Sequence, residues 1–157
     1  QRAVMKTCEE IFFSMTFGGE TLSLAAAAAT IRELRARDVI PYLWAIGAEW
    51  QQNFNILAAS EGVPVRCCGH PPRSHFEFGG PDPWIARALF LQETVKRGVL
   101  FGGPIFMTFA HRSRDIAVTL EACKAALQVL HRAFTDGNLE RFLEGEPPRQ
   151  IFRPAQS

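Results

Sequence analysis

Apolar residues recur at helical spacing in four segments of the chain. This pattern predicts helices from Glu20 to Ala36, from about Pro41 to Gly62, from Pro83 to Gly98, and from Ser113 or Asp115 to Phe134. Proline in the first turn and glycine after the last turn support the ends of the second and third helices. Asp82 adds a capping carboxylate just before the third helix. The chain is therefore expected to be rich in well-delimited helices.

Each predicted helix has one apolar face. In the first helix this face is Leu24, Ala27, Ala28, Ile31 and Leu34, and in the second it is Leu43, Ile46, Gly47, Trp50, Phe54 and Leu57. In the third it is Trp84, Ala88, Leu91 and Val95, and in the last it is Ile116, Leu120, Cys123, Leu127, Leu130 and Phe134. These stripes are the positions that we expect to be buried against a sheet or another helix.

Short strand-like segments separate the helices. Strands are predicted at 65–68 and 75–78, joined by a turn-rich loop from Gly69 to Arg73, and at 99–101 and 105–109 around Gly102-Gly103-Pro104. In the second strand Phe76 and Phe78 should face inward, with His75 and Glu77 on the other side. The predicted fold is a small α/β domain of the α+β kind, with helices packed on a mostly antiparallel sheet.

Composition restricts the class of protein. The 157 residues are 47% hydrophobic with a net charge of +1, which is typical of a soluble globular chain and gives no electrostatic reason to expect a nucleic-acid partner. The longest apolar run, from about Leu22 to Ile31, is too short and too rich in alanine to span a bilayer. The first residues lack the apolar core of a signal peptide. We expect a cytoplasmic protein without a membrane partner.

The cysteines and histidines do not show metal-site spacing. Cys8, Cys67, Cys68 and Cys123 form no CxxC pair, and adjacent Cys67 and Cys68 on a strand would face opposite sides. His70 and His75 flank a proline turn and also lack the expected spacing. Buried reduced thiols are the prediction, and a zinc site is the weaker alternative.

The segment from Phe12 to Leu22 combines hydroxyl groups with paired glycines just before a helix. Free backbone N–H groups and the positive end of the helix dipole at such a place can bind an anion. Thr16 can donate a hydrogen bond to a phosphate oxygen, and Ser14 offers a second hydroxyl. A carboxylate would repel a phosphate, so Glu20 is expected to point away from it.

The order of residues in this segment resembles one family. Together with the segments 97–101 and 105–111, it is similar to the class III pyridoxal-phosphate-dependent aminotransferases, including the glutamate-1-semialdehyde aminomutase branch. The resemblance covers most of the chain and implies the C-terminal domain of a fold-type-I enzyme that uses pyridoxal 5′-phosphate (PLP). It also implies that Thr16, with Ser14 and Phe17 beside it, contacts the cofactor phosphate across the interface of a homodimer.

The resemblance also implies a division of the chain. Residues 1–40 would be the end of the large domain and a connecting helix with the cofactor-phosphate loop, 41–143 the small domain, and 144–157 a loose tail. The family's Schiff-base lysine would lie upstream, since Lys6, Lys96 and Lys124 do not match it. No catalytic residue is therefore predicted within the chain. In such a fragment the apolar side chains of Phe12, Phe13, Phe17 and Leu22 should be exposed.

Three functions remain open at this point. The resemblance implies that the complete enzyme transfers an amino group between an amino donor and a carbonyl acceptor. An aminomutase, which returns the nitrogen to another carbon, is the first alternative, and a non-catalytic binding or assembly module is the second. If the chain was one segment of a longer protein, a coding sequence extended upstream would contain the lysine.

The chain departs from the family pattern in two places. Glu20-Thr21 stands where class III enzymes often have Asn-Pro, and Phe106-Met107-Thr108 stands where several relatives have an arginine that binds the substrate carboxylate. A substrate carboxylate would then be bound by Arg73 or by residues outside the chain. His111 is expected to hold the turn between the strand and the last helix by hydrogen bonds.

Overall fold

The computed structural model describes residues 2–12 and 16–147, except the side chain of Val4. Within the chain two compact units can be distinguished, 1–40 and 41–157. The predicted loose tail lies outside the described residues from position 148 onward. The helices are α1 (Arg2–Thr7), α2 (Thr21–Ala36), α3 (Val39–Ser60), α4 (Pro83–Val95) and α5 (Ser113–Asp136). The strands are β1 (Val65–His70), β2 (Arg73–Phe78) and β3 (Ile105–Phe106).

The first unit exposes most of its apolar side chains. Helix α2, all of which the structure describes, has no buried residue, so the burial expected for its apolar stripe is not observed. Phe12, Phe17 and Leu22 are 96%, 76% and 77% exposed, which confirms the prediction for these three residues. Phe13 lies outside the described residues. Glu33 and Arg37 form the i,i+4 ion pair expected from their spacing, at 3.8 Å.

The second unit contains a three-stranded antiparallel sheet in the order β1-β2-β3. In the hairpin of β1 and β2, Cys68 lies opposite His75 and His70 lies opposite Arg73, so the connection is only Pro71-Pro72. The predicted loop from Gly69 to Arg73 was too long. Gly69 remains within the ladder at a φ of 91°, a left-handed conformation that glycine adopts without strain.

Two of the predicted strands differ from the structure. Residues 99–101 are not a strand, and the predicted strand 105–109 is reduced to β3. Strand β3 pairs through Arg73 and Ser74, and the N–H of Met107 then donates to the carbonyl oxygen of Pro72 in the hairpin turn. The ladder ends there because β2 begins at Arg73, and no further partner is available. Phe101 packs as a side chain against the core instead of joining the sheet.

An aromatic cluster joins the helices to the sheet. Phe76 of β2 lies 4.7 Å from Phe54 of α3 and 5.1 Å from both Phe90 of α4 and Phe101, measured between ring centroids. The side chains of Phe54 and Phe90 are fully buried. Phe76 and Phe78 therefore face the core as predicted, and the fold is helices packed on a small antiparallel sheet, also as predicted.

The buried face of α4 is not the predicted one. Its buried residues are Ile85, Ala86, Leu89, Phe90, Glu93 and Thr94, whereas Trp84 and Val95 are 40% and 51% exposed. The helix is turned by about one residue relative to the prediction, because Phe90 must reach Phe76 and Phe78 of β2. For α3 and α5 the predicted stripes are buried or half-buried, as expected.

Candidate functional site

Thr16 and Phe17 lie in a tight turn that immediately precedes α2. The turn covers residues 16–19, and the N–H of Glu20 donates to the carbonyl oxygen of Phe17 at 3.1 Å. Both Thr16 and Phe17 are exposed. A Cβ added at Gly19 would have no atom within 4 Å, so a ligand could approach the backbone there. Ser14, the third predicted site residue, lies outside the described residues.

Glu20 occupies the N-terminus of α2. Its carboxylate accepts hydrogen bonds from the N–H groups of Leu22 at 2.8 Å and Ser23 at 2.5 Å. Hydrogen bonds from Ser23 and then Leu22 lower the pKa of Glu20, so the carboxylate is charged. These two N–H groups are therefore not free for another anion, contrary to the expectation from sequence. Any anion at this loop would depend on Thr16 and the turn itself.

His111 and Arg112 organise the corner between β3 and α5. The N–H of Thr108 donates to Nδ1 of His111 at 3.2 Å, and the hydroxyl of Tyr42 donates to the carbonyl oxygen of His111. The guanidinium of Arg112 donates to the Tyr42 hydroxyl at 3.2 Å and lies 5.6 Å from the ring centroids of Tyr42 and Phe109. The structural role predicted for His111 is confirmed.

A cleft of about 270 Å³ opens beside this corner. Its walls are mostly apolar, and its polar members are His111, Asp115 and Thr119. The carboxylate of Asp115 accepts the N–H of Arg112 at 2.9 Å, which caps α5. Two of the cleft's polar groups are thus used to hold the corner, so the cleft has the character of an apolar surface rather than of a catalytic centre.

Arg73 and Lys96 both have partners in the described part of the chain. The Arg73 guanidinium lies 5.6 Å from the ring centroid of Phe106. Lys96 Nζ lies 2.6 Å from a carboxylate oxygen of Glu93 and 2.6 Å from one of Glu144. These hydrogen bonds, first that with Glu144 and then that with Glu93, raise the pKa of Lys96. A lysine held as a charged ammonium in this way is a poor amine nucleophile.

The hairpin brings together three side chains that the sequence analysis did not combine. His75 Nε2 lies 3.9 Å from Cys68 Sγ and 3.3 Å from Glu77 Oε1, on the face of the sheet away from the aromatic core. Burial, followed by the neighbouring Glu77, raises the pKa of the Cys68 thiol, while hydrogen bonds from Cys68 and His75 lower the pKa of Glu77. The signal in the sequence was the antiparallel pairing of the two predicted strands, which places Cys68 opposite His75.

The prediction of buried thiols holds for Cys67 and Cys123 but not for Cys8, which is exposed, or for Cys68, which is half-buried. All four cysteines are without disulfides, and Cys67 and Cys123 are buried. Burial raises the pKa of Cys123 to about 12, which keeps it a neutral thiol. Cys67 and Cys68 face opposite sides of β1, as predicted.

Comparison with known proteins gives a structural match only. No protein-family model and no curated protein matches the chain. Among solved structures, the chain is similar to the PLP internal aldimine form of the FumI protein of Sphingopyxis sp. MTA144, with a TM-score of 0.72 and 24% identity. The similarity covers 83% of this chain and 32% of FumI, so the chain spans about a third of the length of that protein. The fold is therefore similar to that of a part of FumI.

None of the helices in the described residues has the length and apolar character needed to cross a membrane.

Proposed function

We propose that this chain is the C-terminal part of a PLP-dependent aminotransferase of class III, which acts as a cytoplasmic homodimer. The observation that supports this most is the fold similarity to FumI over 83% of the chain. The segment around Thr16, which resembles the cofactor-phosphate loop of class III enzymes, supports it independently. The complete protein would transfer an amino group from a small-molecule amino donor to a carbonyl acceptor.

Two features of the turn that contains Thr16 support the proposal of a phosphate ligand there. Thr16 is exposed, and the space beside Gly19 is open. The nearest N–H groups of α2 are already bound by Glu20, so the hydroxyl of Thr16 and the backbone of the turn would supply the donors. Because a single hydroxyl is a modest anchor, most of the affinity would come from the rest of the complete protein.

Three residues of the segment that precedes α2 in the sequence have distinct proposed tasks. Thr16 would donate to the PLP phosphate of the neighbouring subunit, with Ser14 as a second donor and the ring of Phe17 as an apolar contact. PLP supplies an electron sink for chemistry at the carbon bearing the amino group. The covalent attachment would use a lysine other than Lys6, Lys96 and Lys124, and Lys96 is already held by two carboxylates.

Isotope transfer tests the proposed reaction in the complete protein. The protein is incubated with PLP, a nitrogen-labelled amino donor and an unlabelled keto acid, and the label is followed by mass spectrometry. We expect label in the aminated keto acid, and none when PLP is omitted. Rearrangement of nitrogen within one molecule, without transfer, would replace the aminotransferase by the aminomutase alternative. If neither transfer nor rearrangement is observed with any of a panel of amines, the result would favour the non-catalytic module.

A further inference from the structure

The outer face of the hairpin presents three different metal-binding side chains at one point. The ligand atoms of Cys68, His75 and Glu77 all lie within 4.8 Å of one another. A tetrahedral zinc site with these ligands would have about 3.6 Å between sulfur and nitrogen and about 3.3 Å between nitrogen and oxygen. The observed distances from His75 Nε2 are 3.9 Å to Cys68 Sγ and 3.3 Å to Glu77 Oε1. Only small side-chain movements separate this arrangement from a coordination sphere.

The backbone holds the three residues in place. Cys68 and His75 are directly opposite in the antiparallel register, and Glu77 follows two residues later on the same face of β2. The side chain of Asn55 accepts the N–H of the neighbouring Cys67 at 2.8 Å and donates to its carbonyl at 2.9 Å, which fixes the outer edge of β1. Ligands placed by paired strands lose little freedom when an ion binds.

A glycine makes room for the imidazole. A Cβ at Gly69 would lie 3.0 Å from Nδ1 of His75, so any other residue there would press against the ring. The side chains of His75 and Glu77 are 49% and 65% exposed, which leaves a path from solvent. A water molecule could complete the coordination of an ion from that side.

The geometry does not suit a cysteine nucleophile. In a Cys-His-carboxylate catalytic triad the two partners contact different ring nitrogens, so that one nitrogen takes the thiol proton and the other is oriented by the carboxylate. Here both Cys68 and Glu77 lie nearest to the same atom, Nε2 of His75. Convergence of three donors on one point is instead what a cation requires.

We propose that Cys68, His75 and Glu77 form a binding site for a divalent transition-metal ion, with zinc as the best-matched ion. Thiolate, imidazole and carboxylate are all zinc ligands, and water would occupy the fourth position. The two anionic ligands balance the charge of the ion, and the thiol proton leaves to solvent as the sulfur–metal bond forms. The site is independent of the proposed cofactor loop, which belongs to the first unit.

Cobalt binding tests the site directly. The whole chain, reduced with a non-thiol reductant, is titrated with Co²⁺, and the absorbance of the thiolate–cobalt bond is followed. We expect a saturable band with one ion per chain, which disappears on addition of Zn²⁺. Cys68→Ser should abolish the band, and His75→Ala and Glu77→Gln should each weaken Co²⁺ binding by at least about tenfold.

Two control variants separate this site from nonspecific binding. Cys8→Ser removes an exposed thiol outside the cluster, and His70→Ala removes a histidine two residues from Cys68 on the same strand. Both should retain the band and the affinity, and circular dichroism verifies the fold of every variant. Absence of a thiolate–cobalt band in the wild-type chain, or its persistence in Cys68→Ser, would overturn the proposal.

Discussion

Gly47 of α3 lies against Pro71 in the hairpin turn so closely that a Cβ on Gly47 would be 2.2 Å from the carbonyl oxygen of Pro71. The carbonyl carbon of Pro71 would be only 2.4 Å away. These are backbone atoms in a turn of two prolines, which cannot move aside as a flexible side chain would. Gly47 is therefore required for α3 to pack directly on the hairpin.

Gly47→Ala should destabilise the protein by at least about 2 kcal/mol, because overpacking against rigid backbone outweighs the gain of about 1 kcal/mol from replacing a helical glycine. The free energy of unfolding, measured with urea, checks this. Gly103→Ala is the matched control, since a Cβ there has no atom within 4 Å. Equal stability of the two variants would show that α3 and the hairpin do not pack as described.

Glu93 makes stability depend on pH in the acid range. It is only 5% exposed, and it accepts hydrogen bonds from Lys96 at 2.6 Å and Arg97 at 2.8 Å. Burial would raise its pKa, but the hydrogen bonds outweigh burial and lower the pKa of Glu93 to about 2. A carboxyl whose pKa is lowered by folding stabilises the native state above its unfolded pKa, and this contribution disappears as the pH falls towards 2.

Glu93→Gln should therefore reduce the free energy of unfolding at pH 7 by up to about 3 kcal/mol, and the difference from wild type should shrink between pH 5 and about pH 2. Urea unfolding at several pH values measures both effects. Glu121→Gln on the exposed face of α5 is the control and should change little. If the difference in the free energy of unfolding stayed constant across that pH range, Lys96 and Arg97 would not be lowering the pKa of Glu93.

Arg112 should resist replacement by lysine. Its guanidinium donates to the Tyr42 hydroxyl and to the carbonyl oxygens of Phe109 and His111, and it stacks near two aromatic rings. All three hydrogen bonds come from one guanidinium nitrogen, but a lysine ammonium lacks the planar group that lies against the two rings. Arg112→Lys should lower stability by about 1 kcal/mol and the midpoint of thermal unfolding by a few degrees. Arg114→Lys, at an exposed position two residues later, should leave both unchanged.

The sequence predicted the positions of the helices and strands better than the rotation of the helices and the register of the strands. Helical spacing located α2, α3, α4 and α5, and residues such as Asp82 and Gly62 mark where helices begin and end. It placed the wrong face of α4 inside, since Ile85 and Leu89 form a second stripe as apolar as the predicted one. Which stripe is buried depends on Phe76 of another element, and single-helix periodicity contains no such information.

The hairpin shows the same limit for the candidate sites. Paired end to end, the predicted strands 65–68 and 75–78 already place Cys68 opposite His75, as observed. The sequence alone does not fix that register, and a shift of one residue reverses which side chains share a face. The cluster of Cys68, His75 and Glu77 was therefore missed because no register was assigned, and not because of the length of the turn. By contrast, the role of His111 depends on neighbours close in sequence and was predictable.

Thr16 is the binding residue that the proposed function depends on most. In the complete protein, Thr16→Ala should weaken retention of PLP by about 1–3 kcal/mol, the cost of leaving a charged acceptor short of one donor. Thr16→Ser keeps the hydroxyl and should lose much less. Equilibrium dialysis of the cofactor measures both variants, and equal retention in wild type and Thr16→Ala would remove Thr16 from the site.

The most direct test of the proposal that the complete protein is a PLP enzyme is to locate the attached cofactor. The PLP-loaded complete protein is reduced with borohydride, digested and analysed by mass spectrometry. We expect one modified lysine, located outside the 157 residues of this chain, and no modification of Lys6, Lys96 or Lys124. No modified lysine, or modification of one of these three at the level of the main site, would contradict the proposal.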